Sequence, residues 1–196
     1  MLLLHFFLVV LPLLLGIHAD VVDDQPTPEV VNSIQNVEKL TVEMASVVQK
    51  WNGDVLAALP INDTSDSLIK AIKDGAETAK KSKKMGVGEA LKVKKATKQL
   101  LKEIKSSLGT ITSSKPKFDN AGLTSIMKAR LQETKTASDS LIEAIVDKLP
   151  KVGKRIGRNL GKKIAAEFDS AIAEFSKAAK NPKKNPKKNL DGNHLS

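Results

Sequence analysis

Apolar residues recur every three or four positions from Glu29 onward, which is the spacing of one helix face. The first stretch keeps this spacing as far as Ala58. Pro60 is expected to end the helix there, because proline disfavours the helical conformation in the residue before it. The predicted inward face comprises Val30, Ile34, Val37, Thr41, Met44, Val48, Trp51, Val55 and Ala58.

Four more amphipathic helices are predicted. The second begins at a cap within 63–66 and ends at the lysine run 80–84, the third spans about 89–113, the fourth about 120–149, and the fifth follows Pro150. No period-two strand pattern occurs, so the predicted fold is an all-α antiparallel bundle of about five helices. Positions expected to point inward include Leu68, Ile69, Leu91, Leu100, Leu108, Ile111, Leu123, Ile126, Leu131, Thr134, Ser138, Ile142, Ile156, Leu160, Ile172 and Phe175.

The chain divides into four predicted segments. Residues 1–19 are almost wholly aliphatic but short for a bilayer span of ~20 residues, which is typical of a secretory signal peptide; an uncleaved anchor is the alternative. Residues 20–28 are an acidic, proline-containing linker, and 29–176 form the helical domain. Residues 177–196 repeat Asn-Pro-Lys-Lys and are expected to be a disordered tail. The mature protein is therefore expected to be secreted.

Composition argues against catalysis. The chain has no cysteine and no tyrosine, and its three histidines lie near its ends. A disulfide framework, a Cys-based zinc site and a His-activated nucleophile are therefore not expected, and neither is any metal or cofactor. Lysine outnumbers arginine 29 to 3. Because lysine lacks the planar fork that reads bases, sequence-specific nucleic-acid binding is not expected either.

The positive charge is unevenly placed. The formal net charge is +10, and the tail contributes half of it. Residues 80–105 hold ten lysines against Glu89 and Glu103, and 148–163 hold seven basic residues and no acid. These clusters are either solvated helix faces or a means of binding anionic wall polysaccharides or membranes. The second interpretation describes an alternative function, a cationic secreted interaction protein or host-directed effector.

Two local features leave questions open. Gly153, Gly157 and Gly161 form a ridge on the fifth helix, although each glycine lowers helix stability by up to ~1 kcal/mol relative to alanine. Close approach of a neighbouring backbone, a helix that orders only on binding, and a frayed segment all explain the ridge. Asn62-Asp63-Thr64 is a glycosylation sequon, which we expect to lie in a loop.

An ordered set of short sequence features runs from Val30 to Ser176. It resembles the fungal hydrophobic surface binding protein A family, which includes cell-wall galactomannoproteins. The features are Trp51-Asn52-Gly53, Leu59-Pro60-Ile61, Ala71-Ile72-Lys73-Asp74-Gly75, Phe118, Ala121-Gly122-Leu123, Lys135, Ser138-Asp139, Leu141, Ala144-Ile145, Lys148, Pro150, Phe168-Asp169-Ser170-Ala171-Ile172 and Phe175-Ser176.

The resemblance implies a secreted or wall-associated helical bundle without catalytic activity. It implies adsorption to hydrophobic surfaces, or binding of a long-chain fatty acid or similar lipid between the helices. The aliphatic helix faces agree with this expectation, although such faces first of all build a core. The predicted lipid-binding residues lie near the middle of the apolar faces: Val48, Trp51, Ile72, Leu101, Ile104, Met127, Leu141, Ile145, Ile164 and Phe168.

Overall fold

The computed structural model describes residues 29–178, and every regular element in that range is helical. The prediction of an all-α fold is therefore confirmed. The predicted signal peptide 1–19, the linker 20–28 and the tail from residue 179 lie outside the described residues. The elements are α1 (Glu29–Lys50), a 3₁₀ turn (Leu56–Ala58), α2 (Leu59–Lys81), α3 (Val87–Ser113), the short α4 (Lys115–Ala121), α5 (Thr124–Lys148) and α6 (Lys151–Ser176).

The five long helices form a closed ring around one core. Helix α1 packs against α2 and α3, α2 against α5, α5 against α6, and α6 against α3. Successive long helices run in opposite directions, whereas the neighbours α2 and α5 run parallel. Their C-terminal ends meet where the Met85 N–H donates to the Lys148 carbonyl at 2.8 Å. A salt bridge of 3.0 Å between Lys84 and Asp147 joins the same two ends.

The two ends of the bundle differ in charge. One end holds the connections 82–86 and 149–150, and the other holds the segments 51–58 and 114–123. Eight lysines and one glutamate lie in residues 80–98, next to the first end, and the acid-free segment 148–163 also begins there. We therefore name the first end the basic end and the second the opposite end.

The core is mostly aliphatic, with one aromatic cluster near the opposite end. Phe118 is 1% exposed and lies between two other rings, with centroid distances of 4.7 Å to Trp51 and 5.6 Å to Phe175. Aromatic pairs in such tilted geometries contribute about 0.5–1.5 kcal/mol beyond their buried area. The cluster thus ties together the end of α1, the short α4 and the end of α6.

The first helix is shorter than predicted. It ends at Lys50, because the next residues form a tight turn in which Gly53 adopts a φ of 95°. The Asp54 carboxylate accepts a hydrogen bond from the Leu56 N–H at 2.7 Å, and the Trp51 indole donates to the Asp54 carbonyl at 2.7 Å. Local side-chain hydrogen bonds of this kind compete with helix continuation. The expectation of one helix through Ala58 was wrong.

The second helix therefore starts earlier than predicted. Pro60 lies in the first turn of α2, where its missing N–H costs nothing, rather than ending a helix. The sequence-predicted cap at 63–66 lies inside the helix, and so does Asn62. The expectation that the sequon at Asn62 lies in a loop was therefore wrong. The Asn62 amide donates to Asp66 at 3.1 Å and accepts a hydrogen bond from Arg130 at 2.6 Å. Glycosylation at this position stays a prediction.

Four residues assigned to inward faces are exposed instead. Val55 is 53% exposed, because it lies in the turn after α1 rather than in a helix, and the other three lie near the starts of α3, α5 and α6. Leu91 is 58% exposed, Ile126 55% and Ile156 39%. All three lie within the first two turns of their helices, where no neighbouring helix covers them. The predicted fourth helix also starts later, because the chain first forms α4, which closes at Gly122 with a φ of 70° before α5 begins.

Candidate apolar binding site

An apolar cavity lies on the axis of the bundle, between all five long helices. Its volume is about 50 Å³. Aliphatic side chains from every long helix make up most of its wall, with six polar or charged residues among them. The lining residues are Val37, Thr41, Met44, Ser65, Leu68, Ile72, Leu100, Ile104, Ser107, Leu108, Ile111, Met127, Arg130, Leu131, Thr134, Ser138, Leu141, Ile142, Ile164 and Phe168.

The hydroxyl groups of the lining fall into two classes. Thr41 and Thr134 donate to carbonyls one turn earlier in their own helices, each at 2.7 Å. Ser65, Ser107 and Ser138 are buried, and within residues 29–178 their hydroxyls make no hydrogen bond. These three hydroxyls are free to bond a polar group that enters the cavity.

Arg130 is the charged residue of the lining. Its side chain is 27% exposed, and its guanidinium donates to Asn62 at 2.6 Å. It also forms salt bridges of 2.8 Å with Asp66 and 3.4 Å with Glu133. A hydrogen bond from Lys73, with smaller contributions from Arg130, holds the pKa of Glu133 below its ordinary value. Arg130 thus carries a fixed positive charge between the apolar cavity and the solvent.

Two further apolar spaces adjoin the cavity. At the basic end, a groove of about 140 Å³ runs between α3, α5 and α6, and Ile142 lines both the groove and the cavity. At the opposite end, a pocket of about 210 Å³ shares Ser65, Met127 and Arg130 with the cavity. The three spaces therefore follow one another along the bundle, separated only by side chains.

The glycine ridge brings α6 close to α5. A β-carbon at Gly157 would come within 2.9 Å of side-chain atoms of Leu149 and Val146, and one at Gly161 within 2.6 Å of Ile142 Cγ2. Real β-carbons essentially never approach so closely. Of the three interpretations of the ridge, the structure favours close approach of a neighbour. The approaching atoms belong to side chains of α5 and of Leu149, which follows it, rather than to the backbone.

The structure brings together six of the ten predicted lipid-binding residues. Ile145 lines the groove at the basic end instead, and Leu101 is half-buried against the core. Val48 and Trp51 are buried in the core but do not line the cavity. The six that do line it are Ile72, Ile104, Met127, Leu141, Ile164 and Phe168.

Sequence reasoning missed Arg130, Ser65 and Ser107 of the lining, whereas Ser138 was assigned to an inward face. Arg130 precedes Thr134 and Ser138 by one and two turns, so the same spacing that placed these two on the inward face also includes it. That spacing was a usable signal, but a charged residue was assigned to solvent.

Two further features bear on function. Within residues 29–178, no group of three or more His, Cys, Asp or Glu side chains is placed to hold a metal ion. None of the helices described combines the length and the apolar character that crossing a bilayer requires.

Comparison with known proteins places this fold in context. The family model "Hydrophobic surface binding protein A" matches residues 27–147. Cell wall mannoprotein 1 of Aspergillus fumigatus is 26% identical over 151 residues, which are 77% of this chain and 52% of that protein. Its namesake in Aspergillus flavus is 27% identical over 123 residues, 63% of this chain and 44% of the relative. The chain thus spans about half the length of these relatives.

Solved structures share the same fold. AFMP4P in complex with palmitic acid superposes with a TM-score of 0.75 at 24% identity, covering 77% of this chain and all of that one. Ligand binding domain 1 of Penicillium marneffei MP1, complexed with arachidonic acids, gives a TM-score of 0.71 at 20% identity over 74% of this chain and 95% of that domain.

Proposed function

Because the chain belongs to the hydrophobic surface binding protein A family, we propose that it is a secreted, cell-wall-associated binding protein that holds a long-chain fatty acid between its helices. The proposed activity is non-catalytic. The observation that carries it is the axial cavity, whose aliphatic wall continues into an apolar space at each end of the bundle. The palmitic and arachidonic acids named for the two structural neighbours support a fatty acid as the guest.

The proposal requires the bundle to expand. A cavity of about 50 Å³ is far smaller than the roughly 300–1,000 Å³ of typical small-molecule pockets. A guest must therefore move side chains or separate helices. We expect the Ile142 side chain to move, because its displacement joins the cavity to the groove of about 140 Å³. Burial of the acyl chain, at about 25 cal/mol per Å² of apolar surface, offsets the lost helix contacts.

The other end of the cavity offers partners for the carboxylate of the fatty acid. Arg130 and Ser65 both line the cavity and the adjoining pocket of the opposite end. A guanidinium binds a carboxylate through two parallel hydrogen bonds, and the Ser65 hydroxyl can donate a third. The exposed carboxylates of Asp66 and Glu133 then give up part of their contact with Arg130. The acyl chain extends from Arg130 towards Ile142.

The test is binding of palmitate to the full chain, followed by native mass spectrometry and by the melting temperature. One bound palmitate and a raised melting temperature are expected. Arg130→Gln should weaken palmitate binding about tenfold or more, since hydrogen bonds to charged groups contribute about 1.5–3 kcal/mol. Binding of methyl palmitate, which carries no charge, should change little. Arg158→Gln, at an exposed position away from the cavity, is the matched control.

Clear negative results are possible. Absence of an adduct with both palmitate and arachidonate, together with unchanged melting temperatures, would reject the proposal. Equal losses of palmitate and methyl palmitate binding in Arg130→Gln would reject the role of Arg130 alone.

A second activity, adsorption to hydrophobic surfaces, is favoured by exposed aliphatic side chains at the opposite end. Leu56 is 82% exposed, Leu59 66% and Val55 53%. Adsorption through these side chains should persist or strengthen in sulfate, which favours apolar association. Leu56→Asp combined with Leu59→Asp should reduce retention on hydrophobic beads. Unchanged retention of this double variant would reject the opposite end as the adsorbing surface.

A further inference from the structure

The basic end carries an exposed aliphatic patch. Val87 is 61% exposed, Leu91 58%, Val152 72% and Ile156 39%. All four line the groove between α3, α5 and α6. They stand in the first two turns of α3 and α6, which lie side by side and run parallel. The patch is therefore presented at the tip of the bundle rather than along its side.

Basic side chains surround this patch. On α6, helical spacing places Arg155 and Lys163 on the same exposed side as Val152. On α3, Lys94 follows Val87 by two turns and lines the groove itself, while Lys98 stands one further turn along. A protein surface that combines aliphatic and basic side chains in this way complements the interface of an anionic bilayer.

The acidic groups near the patch are already engaged. The Glu89 carboxylate accepts a hydrogen bond from the Gly86 N–H at 2.8 Å and so caps α3. Asp147 forms salt bridges with Lys84 and Lys154, and the hydrogen bond from Lys84 holds its pKa below the ordinary value. Asp147 is therefore compensated by two lysines, whereas Glu89 keeps its charge, which the positive N-terminal end of the α3 dipole offsets in part.

At the opposite end, the basic side chain that adjoins the exposed aliphatic residues is already paired. Arg130 lines a pocket with Leu59 but forms salt bridges with Asp66 and Glu133. Leu56 is more exposed than any patch residue, and Leu59 more than all of them except Val152, yet residues 51–66 contain three aspartates and no basic residue. Exposed aliphatic side chains are thus common to both ends. Among the residues described, basic side chains without an acidic partner, such as Lys94 and Arg155, adjoin them at the basic end. This contrast supplies an internal control.

We propose that the basic end docks on an anionic lipid bilayer, with Val87, Leu91, Val152 and Ile156 entering the interface and the surrounding lysines and arginines contacting lipid phosphates. An anionic polysaccharide would use the charges but would leave the aliphatic patch in water. The proposal does not depend on fatty-acid binding.

The test is flotation of the full chain with vesicles that contain no free fatty acid. Vesicles of phosphatidylcholine with about one-third phosphatidylserine are compared with phosphatidylcholine alone. Wild type should float with the anionic vesicles only, and raising the salt from about 0.1 M to about 0.5 M should weaken binding by screening. Arg155→Glu should lower vesicle partitioning by roughly tenfold or more, because each basic side chain near such a surface contributes about fivefold.

Variants of the patch separate apolar insertion from charge attraction. Val152→Asp and the uncharged Val152→Ser should both reduce partitioning severalfold, and both are expected to fold because Val152 is 72% exposed. Leu56→Asp, at the opposite end, should bind like wild type. A full-length variant tests the tail, with these lysines replaced by glutamine: Lys180, Lys183, Lys184, Lys187 and Lys188.

Several results would overturn the proposal. Equal flotation with neutral vesicles, unchanged partitioning of both Val152 variants, or loss of binding in the tail variant would each reject docking through this patch. Release from vesicles by soluble phosphorylated mannan, with Val152→Ser binding mannan as wild type does, would identify a polysaccharide surface instead. If the protein binds palmitate but not vesicles, the docking proposal is rejected and the fatty-acid site is not. If it binds vesicles but not palmitate, only the fatty-acid site is rejected.

Discussion

Gly161 of α6 lies so close to Ile142 of α5 that a β-carbon at position 161 would come within 2.6 Å of Ile142 Cγ2. Ile142 also lines both the axial cavity and the groove at the basic end. One contact therefore sets the spacing of two helices and separates two apolar spaces. This coupling connects the stability of the bundle to its ability to open.

Replacing Gly161 by alanine should destabilise the fold. The added methyl group meets Ile142 Cγ2, which sits next to the Ile142 β-carbon and cannot swing away freely. Overpacking of this kind costs about 1–3 kcal/mol, and the helix-propensity gain of up to ~1 kcal/mol offsets part of that cost. We expect a net loss of about 1–2 kcal/mol in the free energy of unfolding, measured by urea titration.

Gly109→Ala is the matched control. Gly109 lies inside α3, and a β-carbon there would meet nothing within 4 Å. The same substitution should therefore raise the free energy of unfolding by up to ~1 kcal/mol. If Gly161→Ala stabilised the protein as much as Gly109→Ala, the α5–α6 contact would not be a rigid constraint.

Ile142→Ala should lower the stability of the protein and enlarge the apolar space that is open to a fatty acid. Removing this side chain joins the cavity of about 50 Å³ to the groove of about 140 Å³. Without ligand, the free energy of unfolding is expected to fall by about 2 kcal/mol. This is the low end of the range for such truncations, because Ile142 is only half-buried. Palmitate should then raise the melting temperature more in this variant than in wild type.

Ile172→Ala controls for simple loosening of the core. Ile172 is half-buried against the core on α6, but it is not part of the cavity wall. The Ile172→Ala variant should be less stable than wild type, but palmitate should raise its melting temperature no more than it raises that of wild type. An equal ligand-induced shift in both variants would show that Ile142 does not separate the two spaces.

Acid should weaken the bundle partly through Asp119. A hydrogen bond from Lys115 and a second from Thr124 hold the pKa of Asp119 below its ordinary value of 3.8. A carboxyl whose pKa is lowered by folding stabilises the protein above the ordinary value, and that contribution disappears as the pH falls through the folded-state pKa. Both partners of the Lys115–Asp119 pair are largely buried, which limits solvent screening.

Asp119→Asn should therefore lower the free energy of unfolding by about 2 kcal/mol at neutral pH. The difference from wild type should shrink as the pH falls below 3.8. Glu77→Gln breaks an exposed pair with Lys80 and should change stability little, because solvent screens such pairs. A pH-independent difference for Asp119→Asn would contradict the assignment.

Helix periodicity predicted the long helices because burial in a bundle depends on which face of a helix a residue occupies. The spacing of apolar residues along the sequence identifies that face. It could not locate the end of α1. Trp51, Val55 and Ala58 stay in phase with the helix face, but the Gly53 backbone and the Asp54 side chain stop the helix locally. Periodicity also shows which face of a helix is apolar, but not whether another helix packs against that face. Ile126, near the start of α5, was therefore assigned to the core although no helix covers it.

The cavity was predictable only in part. Residues near the middle of an apolar face, such as Ile72 and Ile164, line the axis because the five faces converge there. The glycine spacing identified a ridge on α6 but not Ile142, the residue that fills the space above Gly161, because that contact depends on how two helices are arranged in three dimensions.

The short helix α4, which the sequence pattern did not reveal, leads to the last prediction. It places Phe118 between Trp51 and Phe175 at 1% exposure. Phe118→Ala should lower the free energy of unfolding by about 3–5 kcal/mol, since it leaves a cavity in a well-packed cluster. Because Trp51 is the chain's one tryptophan, its fluorescence reports directly on the cluster and should shift to the red. Phe118→Leu, which keeps most of the volume, should lose less than half as much stability. If the alanine variant lost under about 1 kcal/mol, α4 would contribute little to the fold, and the opposite end would be held by the aliphatic core alone.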